Sequence, residues 1–167
     1  DLIHKFALRA GKNPQSYALG VKELIRVKHA GSPGLAIHTI GHPLGPRVFG
    51  GGFCYGADKD LFAVGMICGL DWEDPCMDVQ AQLQRFKAHP FIRQFIKGGE
   101  VIAYGAKTLP EGGYFAVPRP YVDGALLVGD SAGFLNVPYM KGIHYAMKSG
   151  MLAAETILDA LLSNDTS

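Results

Sequence analysis

The chain has 167 residues, with 16 Lys and Arg against 15 Asp and Glu, and a pI near 7.9. This near-neutral balance excludes the strongly basic surface that nucleic-acid-binding domains present, so no nucleic-acid partner is expected. Because 48% of the residues are apolar and 19% are charged, the chain is not a disordered tail. No apolar run reaches the about 20 residues that a membrane-spanning helix needs.

The first half of the sequence predicts strands. Segments rich in β-branched and aromatic residues are Tyr17–Val27, Leu35–Ile40, Val48–Gly56 and Leu61–Trp72. The last two flank the polar segment Ala57–Asp60, which predicts a hairpin turn.

Two helices are predicted next. Apolar residues recur at helical spacing in Met77–Ala88, and Asp74 with the proline after it is a suitable start. The second helix begins at Pro90 and ends before the glycines at 98 and 99. Strand character returns over Glu100–Thr108 and Gly113–Pro118. Adjacent strands with few crossover helices predict an α+β fold, with a mostly antiparallel sheet and flanking helices.

The last third predicts a strand, a loop and a long helix. Ala125–Val128 is uniformly apolar, as in a short strand that is buried on both faces. The helix over Gly142–Leu162 carries an apolar stripe at every third or fourth residue, and Gly150 within the stripe predicts close packing. The stripe is formed by Ile143, Met147, Gly150, Ala154, Ile157 and Leu161.

The residues between this strand and this helix suit a ligand. Asp130 at the end of a buried strand could accept a hydrogen bond from a sugar hydroxyl, and the small residues after it let a ligand approach the backbone. The helix would point its positive N-terminal end, near Gly142, at an anionic group. An equally weighted alternative is that Asp130 only caps a turn and the helix only packs.

A family resemblance rests on these same residues. Ala125–Gly133 resembles the C-terminal FAD-binding motif of glutathione-reductase-like flavoproteins. The continuation Phe134–Gly150, with Asn-Val-Pro at 136–138 and Lys-Gly-Ile-His at 141–144, resembles the electron-transfer flavoprotein:ubiquinone oxidoreductase family. Shorter upstream motifs match that family in order, so the resemblance covers about Phe6 to about Leu161.

The resemblance implies two sites and two domains. The FAD-binding residues it implies are Gly129, Asp130, Lys141, Gly142, Ile143 and His144. The quinone-binding residues it implies are Phe49, Gly50 and Gly51, although these glycines alone would indicate a strand bulge. Residues 1–118 would form a quinone or substrate domain, and residues 119–167 the last strand and helix of the FAD domain.

Two departures from the family pattern stand out. No G-x-G-x-x-G fingerprint occurs, so the motif that normally binds the FAD pyrophosphate is missing. Cys54, Cys68 and Cys76 lack the number and spacing for the family's 4Fe-4S cluster, and no metal site is predicted. The chain therefore resembles an internal piece of the enzyme. Ile143 also stands where Thr is expected.

The implied function is that of a peripheral inner-membrane oxidoreductase, on the bacterial cytoplasmic face or the mitochondrial matrix face. It would pass electrons from electron-transfer flavoprotein through the iron–sulfur cluster and FAD to ubiquinone. Electron transfer belongs to the cofactors, so no catalytic side chain is expected. The alternatives are a geranylgeranyl-reductase-like enzyme, a nitrogen-fixation-type flavoprotein dehydrogenase, or an inactive binding module.

Overall fold

The computed structural model describes residues 2–28, 31–138 and 141–166. They form two compact units. The sheet unit is Ala18–Leu109, and the terminal unit combines Asp1–Tyr17 with Pro110–Ser167. The structural division thus falls at residues 17 and 109, whereas the functional assignment to residues 1–118 and 119–167 stays a prediction.

The regular elements follow one another along the chain. In order they are α1 (Leu2–Lys5), β1 (Tyr17–Arg26), β2 (Ala36–His38), β3 (Gly50–Asp58), β4 (Leu61–Gly69), α2 (Val79–Ala88), α3 (Pro90–Ile96), β5 (Glu100–Pro110), β6 (Tyr121–Val122), β7 (Ala125–Leu126) and α4 (Ile143–Ser163). Short 3-10 turns lie at Tyr114–Ala116 and Gly129–Ala132.

The sheet unit contains a five-stranded sheet in the order β2-β3-β4-β1-β5. The pairs β1/β4, β2/β3 and β3/β4 are antiparallel. The predicted α+β class is confirmed, and so is the hairpin, because only Lys59 and Asp60 separate β3 from β4. In β4, Phe62, Val64 and Met66 are buried, since alternate residues point to the same face.

The core of the sheet unit lies between the sheet and helices α2 and α3. Leu83 and Phe86 of α2 and Ile92 of α3 join Phe62 of β4 in one buried cluster. Burial of such side chains stabilises the fold by about 1.5–3 kcal/mol each, which explains why short helices hold their place on the sheet.

Helix α2 begins later than the sequence predicted. Asp78 is its N-cap, and the Asp78 carboxylate accepts hydrogen bonds from the backbone N–H of Gln80 at 2.9 Å and of Ala81 at 3.2 Å. The predicted start at Asp74 was wrong because the Asp74 carboxylate accepts instead from the backbone N–H of Cys76, at 2.9 Å. Helix α3 begins at Pro90, as predicted.

One carboxylate lies on the core face of β1. Glu23 is 5% exposed, and it receives hydrogen bonds from the side chains of Gln80 and Gln84 at 3.1 Å and from Lys87 at 2.5 Å. Burial alone raises the pKa of Glu23, but the Lys87 ammonium and the two amides outweigh it, so the pKa of Glu23 is lowered.

Two predicted strands of the terminal unit were wrong. Gly113–Pro118 contains a 3-10 turn instead, because Gly113 has φ +71° and the chain reverses there. Ala125–Val128 is not a strand buried on both faces. Only Ala125–Leu126 pairs, with Tyr121–Val122, and Val128 is 39% exposed. A two-residue ribbon covers too little surface to bury an apolar run.

The predicted long helix is confirmed as α4, but the close packing predicted at Gly150 is not observed. Among its described residues none is buried, and a β-carbon built on Gly150 would meet nothing within 4 Å. The apolar stripe therefore lies exposed, with Ile143 at 80% and Leu161 at 70%. Within the described ranges, no helix has the length and apolar character to cross a membrane.

Candidate functional site

The turn that contains Gly129 and Asp130 is attached to α4 by a side chain that the sequence analysis missed. The backbone N–H of Gly129 donates to the Ser149 hydroxyl at 3.0 Å, and that hydroxyl donates to the Ala146 carbonyl at 2.9 Å. Gly129 has φ +64°, and a β-carbon there would lie 3.6 Å from Ala146 Cβ. A hydroxyl in the middle of an apolar helix was the only sequence signal for this attachment.

Asp130 lies in the same turn, partly buried. Its backbone carbonyl accepts a hydrogen bond from Gly133 N–H at 2.8 Å. Gly133 ends the turn in the left-handed conformation, with φ +80°. The predicted motif is thus a 3-10 turn that directs the chain into the loop before α4.

That loop brings the remaining predicted FAD residues to the start of α4. Asn136 and Lys141 form an antiparallel bridge with N···O distances of 2.9 and 3.2 Å. Gly142 is the helix N-cap and has no side-chain capping bond, and Ile143 follows it. The ring of His144 lies 4.1 Å from that of Tyr145, measured between centroids. Tyr139 and Met140 of the resembling motif lie outside the described residues.

A cleft of about 680 Å³ lies beside this helix start within the terminal unit. One wall is formed by Gly112–Phe115 and Val117, the other by residues 133–138, and Tyr145 of α4 completes it. Clefts of 300–1,000 Å³ commonly hold small molecules. The N-terminus of α4 has no side-chain cap, so its free backbone N–H groups favour negative charge nearby.

Glu111 precedes the first wall of the cleft. Its Oε2 atom is buried and has no hydrogen-bond partner among the described residues. Burial raises the pKa of the Glu111 carboxyl. A buried polar atom without a partner is uncommon in folded proteins.

The predicted quinone residues lie at one end of the sheet, where β3 begins and β4 ends. Phe49 is 54% exposed there, beside Ile40 at 89% and Leu70 at 41%. The Phe49 carbonyl accepts from Gly69 N–H at 2.8 Å, and the Gly50 carbonyl accepts from Gly41 N–H at 3.1 Å. The backbone at this end of the sheet is therefore hydrogen-bonded on both sides, and the exposed side chains beside it are apolar.

The structure explains the three successive glycines by close packing. A β-carbon would lie 2.1 Å from the Ile67 carbonyl at Gly50, 1.9 Å from the Thr39 carbonyl at Gly51, and 2.4 Å from the Phe86 ring at Gly52. Gly50 also has φ +147°. The alternative of a bulge at these residues was wrong, because their register with β4 is continuous and the irregularity lies at Gly56/Asp58.

The cysteines do not form a metal centre in the described part of the chain. Cys54 and Cys68 are buried on strands, whereas Cys76 is exposed. Burial raises the pKa of the Cys54 thiol to about 11, so it stays a thiol at neutral pH. Among the described residues, no group of three or more His, Cys, Asp or Glu side chains could hold a metal ion, so these residues do not fit an iron–sulfur cluster.

Known proteins resemble this chain in sequence and in fold. The mitochondrial electron transfer flavoprotein-ubiquinone oxidoreductase of Homo sapiens is 45% identical over 168 residues, covering 99% of this chain and 27% of the relative. The probable enzyme of that name from Saccharomyces cerevisiae is 46% identical, covering 95% of this chain and 25% of the relative. The chain thus spans about a quarter of the length of these relatives.

A solved structure shares the fold. It is a geranylgeranyl bacteriochlorophyll reductase-like protein from Thermoplasma acidophilum, with a TM-score of 0.74 at 23% identity, covering 91% of this chain and 36% of that one. The family described as "ETF-QO, ubiquinone-binding" matches residues 17–109, more than half of the chain and nearly the same span as the sheet unit. The chain therefore belongs to the ETF-ubiquinone oxidoreductase family and contains its ubiquinone-binding domain.

Proposed function

We propose that the sheet unit binds ubiquinone and that the terminal unit binds part of FAD, in an enzyme that passes electrons from electron-transfer flavoprotein to ubiquinone. The observation that carries the proposal is the agreement between the family match over residues 17–109 and the sheet unit, Ala18–Leu109. The domain that the family describes as ubiquinone-binding is thus a folded unit of this chain.

The apolar end of the sheet is the proposed quinone contact. A benzoquinone ring is planar and its isoprenoid tail is apolar, so both favour the exposed side chains of Ile40, Phe49 and Leu70. The glycines at 50 and 51 would contribute by letting the strand that follows Phe49 pack closely against the backbone of Ile67 and Thr39.

The cleft of the terminal unit is the proposed position of the flavin ring. Asp130 would bind the ribityl hydroxyls, with Gly129 placing it, and the segment Lys141–His144 would lie along the pyrimidine edge. FAD supplies the electron-transfer chemistry when it is bound. The N-terminus of α4 would stabilise negative charge at that edge, and Ile143 has no hydroxyl to offer it.

The remaining parts of the proposed reaction lie beyond these residues. The 4Fe-4S cluster would take ligands other than Cys54 and Cys68, which are buried on strands. Electron-transfer flavoprotein is the proposed electron donor, and a peripheral position on an inner membrane would give access to ubiquinone. Sequence identity near 45% to quinone enzymes favours this function over a prenyl reductase, whose likeness extends to the fold alone.

The substitution Phe49→Ala tests the proposal. It is made in a protein that contains this chain and has the full length of the relatives, called here the full-length enzyme. Phe49 is half exposed, so the substitution should leave folding nearly unchanged while it removes apolar contact with the quinone. We expect the KM for a short-chain ubiquinone to rise by about tenfold, equivalent to about 1.4 kcal/mol. FAD content and reduction by the electron donor should be unchanged.

Tyr104→Ala is the matched control, because Tyr104 is 88% exposed on β5, at the far side of the sheet order from β2. It removes an aromatic side chain of similar size and should leave the quinone KM within about twofold of the original value. If the two variants had equal quinone kinetics, Phe49 would not contribute to quinone binding.

A further inference from the structure

A hydrogen-bonded pair lies on the face of the sheet that points away from α2 and α3, and the proposed function does not use it. Cys54 and Ile37 pack into the core, so the residues on either side of them in β3 and β2 point to the opposite face. On that face the Tyr55 hydroxyl lies 3.1 Å from His38 Nε2. His38 is exposed, and Tyr55 is partly buried.

The strand register shows in which direction the Tyr55 side chain leans. Tyr55 is paired with Ala36, whereas His38 is paired with Phe53. The hydrogen bond between Tyr55 and His38 is therefore diagonal, and it directs the hydroxyl toward the end of β3 that begins at Gly50. The proposed quinone contacts lie at that end.

One of these contacts, Ile40, follows the pair along the chain. The backbone N–H groups of Thr39 and Gly41 donate to carbonyls of β3 at 2.8 and 3.1 Å, so the pairing continues past His38. Alternation then places Ile40 on the same face as His38, about 7 Å further along the chain. A quinone ring that packs against Ile40 would have the Tyr55 hydroxyl as a neighbouring hydrogen-bond donor.

Aromatic contacts hold the Tyr55 ring in this orientation. It stacks on the Phe53 ring, with centroids 4.8 Å apart and an interplanar angle of 25°. The His38 ring makes a T-shaped contact with it at 5.3 Å. Phe53 itself lies against the sheet at Gly65, where a β-carbon would be 2.5 Å from the Phe53 ring. The position of the hydroxyl is thus defined before any ligand binds.

The pair can hold a proton and release it. Burial raises the pKa of the Tyr55 phenol, so the phenol keeps its proton at neutral pH until a stronger base forms beside it. A protonated His38 donates from Nε2 to the Tyr55 oxygen, which leaves the phenol hydrogen available to another acceptor. Electron transfer belongs to the cofactors, but a quinol also needs protons.

We infer that Tyr55 is a catalytic residue that donates a proton to one oxygen of the quinone, and that His38 replaces this proton. The inference rests on the proposed function, which delivers two electrons to ubiquinone. At one quinone oxygen the O–H bond of Tyr55 breaks and the O–H bond of the quinol forms. The His38 imidazolium gives its Nε2 proton to the Tyr55 phenolate and takes another from water, and the second quinone oxygen takes its proton from water.

The test compares Tyr55→Phe, which keeps the ring and removes the hydroxyl, with His38→Gln, which keeps a hydrogen-bonding side chain and removes the titrating group. Tyr104→Phe is the matched control, because Tyr104 is 88% exposed on β5 of the same sheet unit. The variants are made in the full-length enzyme and measured with two acceptors. A short-chain ubiquinone takes up protons with its electrons, whereas the ferricenium ion takes one electron and no proton.

In Tyr55→Phe we expect kcat with ubiquinone to fall about tenfold to a hundredfold, while the rate with ferricenium stays within about twofold. His38→Gln should lose about tenfold with ubiquinone alone, and Tyr104→Phe should match the unsubstituted enzyme with both acceptors. A proton donor must also lie within hydrogen-bonding distance of its acceptor. Infrared difference spectra of the oxidised enzyme should therefore show a carbonyl band of bound ubiquinone at lower frequency than in detergent, and Tyr55→Phe should remove this shift.

Equal losses with the two acceptors would overturn the inference, because they would show that the substitution disturbs the enzyme as a whole. Unchanged kcat with ubiquinone in Tyr55→Phe or in His38→Gln would also overturn it, as would a carbonyl band that Tyr55→Phe leaves in place. If the unsubstituted enzyme reduced ferricenium but not ubiquinone, that result would instead contradict the proposed function.

Discussion

Gly51→Ala should destabilise the purified chain by about 3 kcal/mol or more, which lowers the Tm by roughly 6–12 °C for a protein of this size. The physical reason is the contact between neighbouring strands. A β-carbon at this buried position would lie 1.9 Å from the Thr39 carbonyl and 2.9 Å from the Thr39 carbonyl carbon. Both are backbone atoms, so the strands must separate to admit even one methyl group.

Gly105→Ala is the control for this substitution. Gly105 is an exposed residue of β5, and a β-carbon there would meet nothing within 4 Å. Alanine restricts the unfolded chain more than glycine does, so this variant should be neutral or more stable by up to about 1 kcal/mol. Thermal unfolding of both variants decides the matter, and equal Tm values would contradict the close packing at Gly51.

Lys87→Met should be the second strongly destabilising change, costing about 3 kcal/mol at pH 7 because it leaves the buried Glu23 carboxylate without its cation. The Glu23 side chain is 6% exposed and that of Lys87 17%, so water cannot replace the lost partner. Arg26→Met is the control. The Arg26–Asp60 pair is more than half exposed on both sides, at 3.4 Å, and its loss should cost about 1 kcal/mol or less.

The destabilisation caused by Lys87→Met should depend on pH in one direction. The pKa of Glu23 is lowered in the folded chain, so its ion pair stabilises the fold above the unfolded value of about 4.3. That stability is lost as the pH falls through the folded pKa. The stability difference between the original chain and Lys87→Met, measured by urea unfolding, should therefore be largest near neutral pH and shrink below about pH 4. A difference that is independent of pH would contradict it.

Local patterns were sufficient to predict the sheet and its helices. The strands from Tyr17, from Leu61 and from Glu100 contain β-branched and aromatic residues, and each strand of the structure begins at the predicted residue. Pro90 begins α3 because a proline at the first helical position loses no hydrogen bond. Strand-forming composition and a proline at a helix start depend only on residues that are close in the sequence. They can therefore be predicted from one sequence.

The errors concern segments whose conformation depends on distant partners. Residues 113–118 have strand-forming residues, yet Gly113 with its positive φ turns the chain, and Asn13 N–H donates to the Phe115 carbonyl at 3.0 Å from the other end of the chain. Residues 125–128 are apolar enough for a buried strand, but a strand is buried only where other elements cover it, and β6 is too short to do so.

The candidate site also divides into features that local sequence predicts and features that depend on distant residues. The glycines and Asp130 were predicted from a motif, but the side chains that hold them were not. Ser149 and Gln15 contact Gly129 and Gly112 across 20 and 97 residues. The sequence contains a signal for the buried ion pair of Glu23, because Glu23 occupies the core-facing position between Val21 and Ile25 in an alternating strand. A charged residue at such a position requires a buried partner, which the structure supplies from α2.

The central claim is that the sheet unit of this chain binds ubiquinone, and photoaffinity labelling tests it most directly. The full-length enzyme is irradiated with a ubiquinone analogue that carries a photoreactive azide on its ring, with and without excess unlabelled ubiquinone, and the labelled peptides are identified by mass spectrometry. We expect labelling within residues 39–51, and we expect excess ubiquinone to suppress it. Labelling confined to residues outside 18–109, suppressed in the same way, would contradict it.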